Sequence, residues 1–199
     1  MDRLKLVAIL RGIRPTEAAQ HVDMLIRAGF RYIEIPLNSP DWQDSIPQMV
    51  RQFATRATIG AGTVLNVGQV DVLAQAGAKL IVTPNTQPTV IRRAVEQGML
   101  VCAGCATATE AFSALDAGAQ WLKIFPSSCF GPDYIRALKA VLPPDVPVLA
   151  VGGVTPDNLA DWVQAGCAGA GLGSDLYRAG QTPERTREQA RRFIAASQA

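Results

Sequence analysis

Short apolar, β-branched runs alternate along the chain with stretches whose apolar residues recur at helical spacing. Each run-plus-stretch unit spans roughly twenty to twenty-six residues, the length of one strand, one helix and two short loops. The runs predict strands at 6–10, 32–37, 58–63, 80–84, 100–104, 121–126, 148–152 and 168–173. Between them the spacing predicts helices near 16–28, 41–54, 67–76, 87–97, 107–117, 132–141, 156–165 and 184–196. Ala28-Gly29, Ala76-Gly77, Gln97-Gly98, Ala117-Gly118 and Ala165-Gly166 each close a helical stretch just before an apolar run, where glycine supplies the left-handed residue that ends a helix. Asn66, Thr109, Thr155-Pro156 and Thr182-Pro183 read as cap or first-turn residues at helix starts.

Strict strand–helix alternation implies a parallel sheet, and eight units favour closure into a single (β/α)8 TIM barrel over an open five-stranded sheet. No linker, low-complexity segment or charge block interrupts the series, so residues 1–199 read as one domain. A hydrophobic content of 48% in 199 residues suffices for one sizeable core, although the chain is short for this architecture. The net charge of +2 comes from arginines spread along the chain, which argues against a nucleic-acid surface. The apolar run between Lys5 and Arg11 is too short for a signal-peptide core or a membrane span, so a cytoplasmic protein with no membrane partner is the expectation.

Strand residues of a parallel barrel are buried on both sides, so a charge inside a strand is costly unless it is paired or used. Lys123 within Trp121-Leu-Lys-Ile-Phe125 and Glu34 within Tyr32-Ile-Glu-Ile-Pro36 are two such charges. If Leu122, Ile124, Ile33 and Ile35 face the helices, alternation points both charged side chains into the lumen. A plain buried ion pair is one reading of the two. The other is carbonyl chemistry: desolvation lowers a lysine's pKa and frees an amine for Schiff-base formation, while a carboxylate moves protons. The single histidine, His21, falls on the first helix and reads as a solvated or packing residue. Of the four cysteines, Cys102 and Cys105 form a C-x-x-C with no second ligand cluster, so packing is preferred and no metal is expected.

The ends of the seventh and eighth runs, Val151-Gly152-Gly153 and Gly171-Leu-Gly173-Ser174-Asp175, occupy the positions where barrels bind phosphate with bare backbone N–H groups and a short extra helix. Tight turns are the alternative use of these glycines. Arg11 ends the first strand at the same rim, with a fork suited to a carboxylate; Thr63 and Asn85 are further polar groups there. Gly60 and Gly62 leave room for a ligand or relieve crowding in the lumen.

Over nearly its whole length the chain resembles the 2-keto-3-deoxy-6-phosphogluconate aldolase family. The stretches that carry the resemblance are Ile33-Glu-Ile-Pro36, Gly60-Ala-Gly-Thr-Val-Leu65, Thr83-Pro84, Leu122-Lys-Ile-Phe-Pro126, Gly152-Gly153 and Gly173-Ser174. The resemblance implies a homotrimeric class I aldolase, without cofactor or metal, that cleaves a phosphorylated keto-sugar acid to pyruvate and D-glyceraldehyde 3-phosphate. It implies Lys123 as the Schiff-base lysine and Glu34 as the general acid/base. Thr63 and Pro84 would line the pyruvate end, Phe125 would pack beside it, and Gly152, Gly153, Gly173 and Ser174 would hold the phosphate. One departure concerns the substrate carboxylate: Asn38 stands where gluconate-type members carry an arginine, and Arg11 resembles its replacement. Val151 likewise stands where that type has a threonine able to reach a C4 hydroxyl. Both features resemble the galactonate branch of the family, whose substrate is the C4 epimer. The gluconate epimer, an isomerase reaction and a non-catalytic phosphosugar-binding barrel are the rival readings.

Overall fold

The computed structural model describes residues 4–198. Eight parallel strands close into a barrel in chain order: β1 (Lys5–Ile9), β2 (Tyr32–Pro36), β3 (Thr58–Gly62), β4 (Leu80–Val82), β5 (Leu100–Cys105), β6 (Trp121–Ile124), β7 (Val148–Val151) and β8 (Gly169–Leu172). The last strand pairs with the first. Each strand is followed by a helix: α1 (Pro15–Ala28), α2 (Trp42–Phe53), α3 (Val67–Gln75), α4 (Pro88–Glu96), α5 (Ala108–Asp116), α6 (Ser127–Lys139), α7 (Leu159–Gln164) and α8 (Pro183–Ala196). The single eight-fold barrel expected from the alternation is the fold observed. No helix among the described residues is long and apolar enough to cross a membrane.

Two-residue periodicity divides the strand side chains between two separate cores. Ile33, Ile35, Leu122 and Ile124 join the large core between barrel and helices. Val7, Ile9, Leu80, Val82, Cys102, Trp121, Leu149 and Val151 form a second core inside the lumen. Tyr32 packs edge-on to Trp121 with ring centroids 4.8 Å apart, and Lys5 Nζ lies 5.9 Å from the centre of the Trp121 ring. The N-terminal end of the lumen is thus filled by side chains, and any cavity must open at the other end.

Most of the expected punctuation is present. The glycines that close helical stretches, Gly29, Gly77, Gly98, Gly118 and Gly166, all adopt positive φ. Asn66 accepts a hydrogen bond from the Gln69 amide, and Thr182 accepts one from the Arg185 amide with Pro183 in the first turn. Three expectations are corrected. Thr109 lies inside α5, and the cap is Thr107, which shares a reciprocal capping box with Glu110. α7 starts three residues beyond Pro156, because Thr155 and Asn158 exchange side-chain-to-amide hydrogen bonds in a turn ahead of it. α6 begins at Ser127 rather than near 132; Gly131, at φ 78, separates its first turn from the body of the helix.

Candidate active site

Lys123 and Glu34 enter the lumen from β6 and β2 near the C-terminal end of the barrel, only 6% and 2% exposed. Register sets what surrounds them. Lys123 is flanked by Gly104 and Leu149, and Glu34 by Ile9 and Gly60, so all four neighbours are either bulky and apolar or have no side chain at all. The Glu34 carboxylate lies over Gly62: a Cβ built there would sit 2.1 Å from Glu34 Oε2. Glycine at position 62 therefore makes room for the acid.

The plain ion-pair reading does not fit this geometry. Every ion pair among the described residues lies at the surface, and none includes Lys123 or Glu34. Glu34 Oε2 is buried without any hydrogen-bond partner among the described residues, an expensive arrangement for a carboxylate that serves only structure. Burial pushes the Glu34 carboxyl up to about 7, against the opposing pull of Lys123, Arg11 and the Gly62 amide. Burial lowers the Lys123 ammonium below its ordinary value, while the Glu34 charge works in the other direction. Both groups therefore titrate closer to neutrality than they would in water, the condition under which one site supplies a nucleophilic amine and an acid/base. Lys123 Nζ also lies 4.6 Å from the centre of the Phe125 ring.

Lys123 forms the floor of a cavity of about 600 Å³ at the C-terminal mouth. Of the residues singled out in the sequence, Arg11, Thr63, Pro84, Phe125, Val151, Gly152, Gly153, Gly173 and Ser174 all line it. Glu34 lies behind this lining, and Asn85 is not part of it; the Asn85 carbonyl instead accepts a hydrogen bond from the Thr83 hydroxyl. Arg11 is held in place: its Nη1 donates to Asn38 Oδ1, and more distantly, at 3.5 Å, to Thr63 Oγ1. Thr63 holds its position at φ 56, a strained conformation for a β-branched residue. Ser39 Oγ accepts from the Gly12 amide at 2.9 Å, tying the loop that carries Arg11 to the end of β2. The role of Asn38 as a partner of Arg11 was not readable from the sequence, since the two are separated by a whole strand–helix unit.

At the β7–β8 side the backbone is exposed to the cavity. Gly152 and Gly153 take φ 94 and 77 in succession, and a Cβ on Gly153 would collide with Ser128 at 2.6 Å. Ser127 fixes this corner: its hydroxyl donates to the Ile124 carbonyl at 2.7 Å and accepts from the Val151 amide at 3.0 Å. Among the described residues, no backbone acceptor receives the N–H groups of Gly152, Gly153, Gly173 or Ser174. The short helix expected after β8 is absent; Leu176 and Tyr177 both donate to the Gly173 carbonyl, forming a turn. Asp175, the end of the stretch named after the eighth run, also lines the cavity; so do Tyr177 and Arg178, which were not singled out in the sequence because they follow the last strand in a segment without periodicity. Cys102 and Cys105 lie on opposite sides of the barrel wall, and burial pushes both thiols up to about 12.

A parallel eight-stranded barrel with a desolvated lysine and carboxylate at its C-terminal mouth has the layout of a barrel enzyme. The model of the family described as KDPG and KHG aldolase matches residues 1–189, and the chain belongs to that family. The 2-dehydro-3-deoxy-6-phosphogalactonate aldolase of Escherichia coli (strain K12) is 67% identical over 194 residues, 98% of this chain and 95% of the relative. A solved structure described as native KDPGal superposes with a TM-score of 0.98 at 66% identity, covering 100% of this chain and 96% of the other. A cube-shaped, highly porous protein cage designed by fusing symmetric oligomeric domains also matches, with a TM-score of 0.98 and 66% identity, over 99% of this chain and 73% of that one.

Proposed function

We propose that this chain catalyses the reversible retro-aldol cleavage of 2-dehydro-3-deoxy-6-phospho-D-galactonate to pyruvate and D-glyceraldehyde 3-phosphate, with no metal or organic cofactor. The observation that carries the reading is a buried lysine lining the cavity and a buried carboxylate just behind that lining, which form no ion pair. Arg11, braced by Asn38, clamps the substrate carboxylate. The Lys123 amine attacks the C2 ketone, and Glu34 assists the loss of water that gives the protonated imine. Glu34 then takes the proton of the C4 hydroxyl, directly or through water, as the C3–C4 bond breaks into the imine. The aldehyde fragment departs, Glu34 returns its proton to C3 of the enamine, and hydrolysis frees pyruvate and the lysine.

The unpartnered amides at Gly152, Gly153, Gly173 and Ser174 support a phosphate subsite there. Val151, at the C-terminal end of β7, has a side chain with no hydrogen-bonding atom for a C4 hydroxyl, which supports the galactonate epimer; the similarity to the phosphogalactonate aldolase of Escherichia coli points the same way. We further propose a cytoplasmic homotrimer. Borohydride reduction in the presence of pyruvate, followed by mass spectrometry, is expected to leave an adduct on Lys123, and Lys123→Ala is expected to leave none. An unlabelled Lys123 in the parent protein would reject the imine mechanism. A kcat/KM that favours the gluconate epimer would reject the choice of substrate.

A further inference from the structure

The proposed phosphate subsite lacks a countercharge. Its amides and the Ser174 hydroxyl are neutral, yet a phosphate monoester near neutral pH approaches two negative charges, and taking it out of water calls for a cation. Arg11 rises from β1, next to β8, but its guanidinium is drawn towards the ends of β2 and β3 by its hydrogen bonds to Asn38 and Thr63. Asp175, which also lines the cavity, has the wrong sign.

We infer that Arg178 is the cationic ligand of the substrate phosphate, an assignment that rests on the phosphosugar reading above. Arg178 lines the same cavity as Gly152, Gly153, Gly173 and Ser174. Its Nε donates to the Ser174 carbonyl at 2.9 Å, which anchors the guanidinium beside the residue whose hydroxyl and amide belong to the subsite. The two terminal nitrogens are left to engage an anion, and no ion pair among the described residues includes this arginine. The backbone is braced as well. The Arg178 amide donates to Gln181 Oε1, and Gln181 Nε2 donates to the Leu176 carbonyl and to the Thr186 hydroxyl on α8. The guanidinium thus projects from a fixed turn yet remains solvent-exposed before ligand arrives. A planar fork beside a row of amides suits the tetrahedral oxygens of a phosphate monoester better than a point charge does.

The test compares kcat/KM for the 6-phosphorylated keto acid with that for its unphosphorylated counterpart in the parent, Arg178→Gln and Arg178→Lys. Loss of one charged hydrogen-bonding group corresponds to about 10- to 100-fold. The ratio of the two constants is expected to fall by that factor in Arg178→Gln, through a higher KM for the phosphorylated substrate, and to recover in part in Arg178→Lys. Inorganic phosphate is expected to inhibit the parent competitively and Arg178→Gln more weakly. An unchanged ratio would overturn the assignment. So would an equal fall with both substrates, since an arginine that merely holds the turn would affect both. A parent protein indifferent to the phosphate would instead refute the phosphosugar reading itself, before any variant is compared.

Discussion

The acid/base role proposed for Glu34 is coupled to stability through the burial of its carboxyl. Its carboxyl is raised from an ordinary 4.5 to about 7, so between those values the folded chain holds a proton that the unfolded chain has already lost. Stability is therefore fully present below about pH 4.5, declines as pH rises towards 7, and stays lowered above it; the whole effect is roughly 3 kcal/mol. Glu34→Gln keeps the shape without the charge. Urea unfolding of this variant at pH 8 is expected to have a higher midpoint than the parent, with the gap closing towards pH 5. Its rate of aldol cleavage is expected to fall about 10²- to 10⁴-fold, the usual worth of a positioned acid/base. A variant no more stable than the parent at pH 8 would mean that the buried carboxylate is better solvated than its surroundings imply. Lys123 and Glu34 were both legible in the sequence, because a charge inside an apolar strand breaks a period-two pattern whose flanking residues fix its direction. The bond from Arg11 to Asn38 and the position of Arg178 at the cavity were not legible. These residues lie in loops, where no periodicity says which way a side chain points.

At the level of elements, two lumen glycines separate packing from chemistry. A Cβ on Gly104 of β5 would meet the Pro84 carbonyl carbon at 2.5 Å, and that backbone cannot yield without opening the barrel wall. Gly104→Ala is expected to cost about 3 kcal/mol, read as a lower urea midpoint. The three atoms nearest a Cβ on Gly62 of β3 all belong to the carboxyl end of the Glu34 side chain, which can rotate away where backbone cannot. Gly62→Ala is therefore expected to keep more of the parent's stability while losing activity nearly as severely as Glu34→Gln. Equal stability losses in the two variants would refute the distinction. Strands and most helix ends were readable because glycine and threonine punctuate them. The errors fall where two signals compete: Thr107 and Thr109 are both acceptable caps, and only Glu110, three residues beyond Thr107, closes the reciprocal box. The turn after β8 was read as a helix because a Gly-rich strand end precedes either one.

For the whole molecule, the homotrimer proposed above makes a simple prediction. Sedimentation equilibrium is expected to give three times the mass of one chain, and a monomer over a wide concentration range would rule the trimer out. The exposed Phe112, Phe130 and Val141 are apolar surface of the kind that subunit contact covers, and the designed cage with a closely matching domain was built from symmetric oligomeric domains. Closure of the barrel was legible from the count of eight repeats; subunit association leaves no comparable period in a single chain.

The packed floor of Trp121, Tyr32 and their apolar neighbours gives the lumen a single door. Lys123 sits at the inner end of that passage, with the glycine-lined turns nearer the threshold. A molecule cut in two within it becomes a queue, in which the fragment at the threshold must depart before the one tethered behind it can follow. In the synthetic direction the order of entry reverses: pyruvate goes first, and the aldehyde that closes the passage second.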